Sequence, residues 1–163
     1  MAITHNGAAV VVLVVEDETI VRLLANDILT DGGYRVLEAR DGQEALAVLE
    51  VHDGISALFT DVTMPNLDGL TLAKIVQERW PEIRIVMTSG VPRPNPLPDG
   101  ARFISKPYTS EVLIQELEAA LGKTARFVTS AAPVALANIP NLQAGRMHGA
   151  GGLALPVAEP EKE

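Results

Sequence analysis

Asp61 closes a short apolar run in the stretch ALFTDVTMPNLDGL (57–70), and a turn rich in proline and glycine follows it. A carboxylate there sits at the carboxyl end of an expected buried strand. Two other segments end in the same manner. The apolar run of VVLVVEDE leads into Glu16 and Asp17, and ARFISKPY delivers Lys106. Charged residues at the tips of three apolar runs belong to an α/β site at the carboxyl edge of a parallel sheet. Glu16 and Asp17 are adjacent, so their side chains leave in different directions; one can ligate a cation directly while the other reaches it through water. With Asp61 they form an oxygen-only donor set of the kind Mg2+ prefers. Without a cation such carboxylates repel one another and at least one pKa rises. With the charge offset, a phosphoryl donor can approach Asp61, whose carboxylate then acts as a nucleophile and becomes an acyl phosphate. Lys106 on the opposite side would stabilise the phosphoryl group. A fourth apolar run ends in two hydroxyls, Thr88 and Ser89, and strand alternation lets only one of them face the site.

Strands must present these groups, and the apolar pattern supplies them. Val10–Val15 is an unbroken aliphatic run, as expected of a strand buried on both faces. Further strands are expected over Tyr34–Ala39, Ile55–Thr60, Ile83–Thr88 and Ala101–Ser105. Helices are expected between them. The first places Ile20, Leu23, Leu24 and Ile28 on one stripe, expected to face inward, and stops at Gly32-Gly33. Asp41 and Glu44 form a capping-box-like start for the second, and the third runs from about Leu70 to Arg79. Thr109 or Ser110 caps the last, with Gly122 just past its end. Between the fourth and fifth strands the alternation breaks. Pro92, Pro94, Pro96 and Pro98 recur at every second position, which no α-helix survives, so an extended or polyproline-like loop is expected there. Strands alternating with helices imply a parallel sheet covered on both faces.

The chain has 163 residues, 47% hydrophobic and 21% charged, an ordinary balance for one globular domain. Aromatics are 4%, so the core must be aliphatic. A net charge of −8 argues against nucleic-acid binding, which needs a basic stripe. The absence of cysteine excludes disulfide and thiolate chemistry and fits a cytoplasmic protein. The apolar run of residues 8–15 is too short to span a bilayer and ends in acids, so no membrane insertion is expected. The expected organisation is an N-terminal extension over 1–9, a folded domain over 10–122 and a disordered Ala/Gly/Pro-rich tail over 123–163.

VVLVVEDE, DVTMPNLDG, MTSG and ISKPY, in this order and spacing, resemble the receiver domain of two-component response regulators. The resemblance covers about Val10 to Gly122. It implies a flavodoxin-like, doubly wound sheet of five parallel strands in the order 2-1-3-4-5. It also implies a phosphoryl group passed to Asp61 from a histidine kinase or histidine phosphotransfer protein, and a downstream protein that reads the result. By the same resemblance Asp17 and Asp61 hold Mg2+ directly, Glu16 acts through water, and the backbone carbonyl of Thr63 is a further ligand. Lys106 contacts the phosphoryl group, with Pro107 after it on a cis bond. The family places a small residue directly after its switch hydroxyl, which favours Ser89 (followed by Gly90) over Thr88, and Phe103 matches the aromatic that moves inward on activation. The sequence departs from the family in carrying Glu16 where aspartate is also common, and in replacing a helix between the fourth and fifth strands by the proline loop.

The implied function is that of a stand-alone signalling module whose only enzymatic character is its own phosphorylation and dephosphorylation. Two alternatives carry different chemistry. An aspartate-nucleophile phosphohydrolase would have a second acid two residues past the nucleophile, where this chain has Thr63. A phosphorylation-independent binding module would not need the full set of acids, hydroxyl and lysine.

Overall fold

The structure is a computed structural model that describes residues 2–5 and 7–122. The expected tail, 123–163, lies outside the described residues. The chain opens with a small antiparallel hairpin, β1 (Thr4–His5) and β2 (Ala8–Ala9). The main elements follow in order: β3 (Val11–Val15), α1 (Thr19–Asp31), β4 (Arg35–Ala39), α2 (Gly42–Val51), β5 (Ile55–Asp61), α3 (Gly69–Arg79), β6 (Arg84–Ser89), β7 (Arg102–Ser105) and α4 (Ser110–Ala120).

The five main strands are all parallel and lie in the order β4-β3-β5-β6-β7. Counted along the chain from β3, that is the expected 2-1-3-4-5, and the fold is flavodoxin-like α/β. Strand alternation divides the core into two layers. Leu13, Val15, Leu58, Ile85 and Met87 face α2 and α3, where Leu49, Leu72 and Val76 meet them. Val12, Val14, Phe59, Val86 and Ile104 face α1 and α4, against Ala25, Leu29, Leu113 and Leu117. The central strands are therefore apolar on both sides, which is why their sequences run without polar interruption.

Local signals set the helix starts. Asp41 accepts from the Glu44 N–H at 2.8 Å, and Glu44 accepts from the Arg40 N–H at 2.7 Å. Asp68 accepts from the Thr71 N–H at 2.7 Å, and Thr109, not Ser110, is the cap of α4.

Two features differ from the sequence expectation. First, α1 is turned. Ala25 and Leu29 are its buried residues, whereas Ile20, Leu23 and Leu24 are 82%, 50% and 53% exposed; only Ile28 of the expected stripe packs toward the core. The helix carries apolar residues on more than one stripe, and the sheet takes the side with the small Ala25, which permits close approach. Second, the segment before Val10 adds structure. The Ile3 N–H donates to the Gly33 carbonyl at 2.8 Å and the Val10 N–H to the Ile3 carbonyl at 2.9 Å, which ties the hairpin to the end of α1.

The segment between β6 and β7 contains no helix, in agreement with the proline pattern. It is held at its far end by Gln77, which donates to the Asp99 carbonyl, and by the Ala101 N–H on the Pro98 carbonyl. Leu97 and Ala101 pack onto the α2/α3 layer. Both the Asn95–Pro96 and Lys106–Pro107 bonds are cis.

The start of α3 presses against the strand that carries Asp61. A Cβ on Gly69 would lie 1.9 Å from the Asp61 carbonyl oxygen, and the Gly69 N–H donates to the Val62 carbonyl at 2.9 Å. Gly69→Ala should therefore lower stability by about 1–3 kcal/mol through overpacking, measured by urea unfolding; an unchanged midpoint would show that α3 can retreat without cost.

Candidate functional site

The carboxyl ends of β3, β5, β6 and β7 form one edge, and the expected residues gather there. Glu16 immediately follows β3, Asp61 ends β5, Ser89 ends β6, and Lys106 immediately follows β7. One carboxylate oxygen each from Glu16, Asp17 and Asp61 lies within 4.8 Å of the others. Glu16 and Asp61 are 3% and 7% exposed, and Asp17 is exposed. Lys106 Nζ donates to Glu16 Oε2 at 2.7 Å and lies 3.5 Å from Asp61 Oδ2. Two buried acids thus share one half-buried ammonium group. Thr63 lies exposed two residues past Asp61, and its N–H and that of Val62 favour the charged Asp61 carboxylate, although the Val62 N–H itself donates to the Thr88 carbonyl at 2.8 Å.

The electrostatics follow from burial. Desolvation pushes the Glu16 carboxyl up from its ordinary value, and the Asp61 charge adds to the rise; Lys106 and the Glu18 N–H pull the other way without winning. Asp61 is also raised by burial, against Lys106 and the two backbone N–H groups. Burial pulls the Lys106 ammonium down, but the hydrogen bond to Glu16 and the charges of both acids together raise it. Tyr108 is pushed up to about 12 by burial, with the fields of Glu16 and Asp61 contributing. The site carries more buried negative charge than Lys106 can offset.

A divalent cation would supply the missing positive charge. The donor set is oxygen-only, its members are clustered, and its buried acids are disfavoured in the charged form, all of which fit Mg2+.

The two hydroxyls at the end of β6 part company. The registers Met87↔Phe103 and Ser89↔Ser105 put Ser89 and Phe103 on one face of the sheet, the α2/α3 side. Ser89 is 1% exposed, and its Oγ accepts from the Val91 N–H at 3.2 Å, the first residue pair of the proline loop. Thr88 lies on the opposite face, beside Asp61 in register, and its Oγ1 is buried without a hydrogen-bond partner. Phe103 is half-buried.

Two neighbours were not singled out from sequence. Arg22, one turn into α1, donates to the Glu16 carbonyl at 2.8 Å and lies 3.6 Å from Glu38. It fixes the chain just before Asp17, and its only sequence signal is a basic residue near the start of a helix that follows three acids. Tyr108 packs edge-on against Phe59 with ring centroids 5.8 Å apart, under the strand that ends in Asp61. Being two residues past Lys106 was the only hint.

Comparison with known proteins agrees with this geometry. The profile of the response regulator receiver domain matches residues 12–118, and the chain belongs to that family. It is 38% identical over 118 residues to the chemotaxis protein CheY1 of Helicobacter pylori (strain ATCC 700392 / 26695), covering 68% of this chain and 95% of that one. It is 33% identical over 126 residues to the sensor kinase CckA of Brucella abortus (strain 2308), covering 74% of this chain but only 13% of the kinase. The solved response regulator receiver protein from Sinorhizobium medicae WSM419 superposes with a TM-score of 0.65 at 31% identity, over 70% of this chain and 95% of that one. The fold is that of a two-component receiver domain.

The raised acids set the sign of a stability effect. Glu16 and Asp61 hold protons more tightly folded than unfolded, so the stability they contribute is present at low pH and is lost as pH rises through their raised values. Lys106 contributes below its ordinary value of 10.5 and loses that contribution above its raised one. At neutral pH and without divalent cation, Asp61→Asn should therefore raise the urea midpoint. The gain should shrink toward pH 4, and Mg2+ should stabilise the wild type more than the variant. A lower midpoint for the variant at neutral pH would contradict net repulsion in the site.

Proposed function

We propose that this receiver domain is a phosphoacceptor module of a two-component system, in which Asp61 takes a phosphoryl group from a histidine kinase or histidine phosphotransfer protein and the change alters binding to a downstream protein. The observation that carries the reading is the convergence of Glu16, Asp17 and Asp61 on one edge with Lys106 across from them. Asp17 and Asp61 would hold Mg2+ directly, Glu16 through water, and Thr63 through its carbonyl. The cation, when bound, offsets the charge that otherwise keeps a phosphoryl group away from the acids.

The chain's own groups then divide the work. An Asp61 oxygen attacks phosphorus; the bond from phosphorus to the donor nitrogen breaks, and the electron pair stays with the donor imidazole. Lys106 is close enough to Asp61 to neutralise charge on the incoming group. Phosphorylation adds negative charge and acceptor oxygens. Ser89 can answer with its O–H, which remains available while Oγ accepts from Val91. Phe103, on the same face and without a hydroxyl to satisfy, can fill the space that Ser89 leaves. The response is a population shift between two packings. Beyond forming and losing its own acyl phosphate, the module has no enzymatic role in this reading, and it works in the cytoplasm. No helix among the described residues is long and apolar enough to cross a membrane.

The turned face of α1 supports a protein phosphodonor. Ile20, Leu23 and Leu24 stand exposed directly after Asp17 and Glu18, beside the acidic edge. A helical donor that buries this stripe would bring its phosphohistidine to Asp61.

Two measurements test these statements. Incubation with acetyl phosphate and Mg2+ should leave one phosphoryl group on the wild type and none on Asp61→Asn, read by intact mass; labelling of the variant would move the acceptor elsewhere. Leu23→Asp should slow transfer from a phosphorylated histidine kinase at least about tenfold, the loss of one buried anchor, yet leave labelling by acetyl phosphate unchanged. Equal slowing with both donors would mean that the substitution damages the site rather than a docking face.

A further inference from the structure

Thr88 is not explained by the switch. The sheet register sets it beside Asp61, one strand over, and the pleat sends both side chains to the face that also carries Phe59, Val86 and Ile104. Thr88 is 1% exposed, and its Oγ1 is buried without a partner. A valine of the same shape would fill this place in a strand equally well and leave no hydroxyl unsatisfied. Ser89 cannot stand in for Thr88, because it faces the other layer and is engaged by Val91.

We propose that the Thr88 hydroxyl donates a hydrogen bond to the carboxyl group of Asp61 once that group is phosphorylated, and thereby hastens loss of the phosphoryl group. The inference rests on Asp61 being the phosphoacceptor. In the unmodified chain, Lys106 and the Thr63 N–H favour the charged Asp61 carboxylate, while the Val62 N–H donates to the Thr88 carbonyl at 2.8 Å. Phosphorylation commits one carboxyl oxygen to the bond with phosphorus, while the phosphoryl oxygens compete for Lys106. The other carboxyl oxygen keeps the Thr63 N–H and has room for a second donor, and Thr88 lies in the adjacent register position. During hydrolysis a water oxygen bonds to phosphorus and the phosphorus–Asp61 oxygen bond breaks. The electron pair returns to the carboxyl group, and the water's protons pass to the released phosphate and solvent. Negative charge grows on the carboxyl group along that path. A donor aimed at it is therefore stronger in the transition state than in the acyl phosphate, and accelerates the step.

The test uses the full chain, labelled with acetyl phosphate and Mg2+ and then freed of donor, with the remaining phosphoryl group followed over time. Thr88→Val should lengthen the half-life about three- to tenfold, the worth of one hydrogen bond, and Thr88→Ser should restore it. With carbon-13 in the aspartate carboxyl groups, the acyl carbonyl stretch of phosphorylated Asp61 should move to higher frequency in Thr88→Val and not in Thr88→Ser. A purely structural Thr88 would change stability without moving that band. If Thr88→Val fails to fold, Thr88→Ala provides the same comparison. Half-lives and carbonyl bands equal across all variants overturn the proposal, as does a serine variant that behaves like valine. A wild type that takes no label at all overturns both this inference and the phosphoacceptor reading, whereas normal labelling with identical decay overturns the role of Thr88 alone.

Discussion

Two buried carboxylates facing one ammonium group set the terms for this structure. Glu16 and Asp61 are nearly inaccessible to water, yet Lys106 is the cation paired with both of them. In a low-dielectric setting that imbalance is costly, since each acid loses hydration and also feels the other. The backbone reduces the cost by directing N–H groups at the acids: Glu18 toward Glu16, and Thr63 toward Asp61. A residual imbalance of charge remains, and a divalent cation would offset it.

The sheet can hold such a cluster because its interior has nothing else to accommodate. Val12, Leu13, Val14, Leu58 and Val86 pack on both faces, and the chemistry is confined to the tips of the strands. Close packing transmits position. Gly69 lets α3 begin against the Asp61 carbonyl, and Arg22 fastens the turn after β3 by binding the Glu16 carbonyl. The acids are therefore presented by backbone pinned on both sides, which favours a preorganised site over one assembled on demand.

Much of this was legible in the chain. Continuous aliphatic runs ending in charge identify parallel strands and their active edge, and alternate prolines forbid the helix that is absent between β6 and β7. Other features depend on partners that a local reading does not see. Helix α1 has Ile20, Leu23 and Leu24 on one side and Ala25 and Leu29 on another, and both stripes satisfy a helical period. The choice between them is made by the distance at which the helix must sit from the sheet, where the alanine fits. The hairpin before β3 is four paired residues long, too short to show a strand pattern, and its anchor is the remote Gly33 carbonyl. Arg22 and Tyr108 reach the site from positions with no motif of their own.

The separation of Thr88 from Ser89 illustrates how much one residue of register decides. The two are neighbours with similar chemistry, yet the pleat assigns them to opposite layers. Ser89 shares its side with Phe103 and is bonded to the root of the proline loop. Displacement of Ser89 toward a phosphoryl group would take an acceptor from the Val91 N–H, so the loop would sense the modification through its own backbone. Four prolines limit how such a loop can respond. With φ fixed at alternate residues, it cannot refold locally, and a disturbance at Val91 must move the segment more nearly as a unit toward its far anchors at Asp99 and Ala101. Thr88, on the α1/α4 side, faces two well-packed helices and has no such path outward. In the proposed response, one face of the sheet would convey the signal, and the other would hold the acids still.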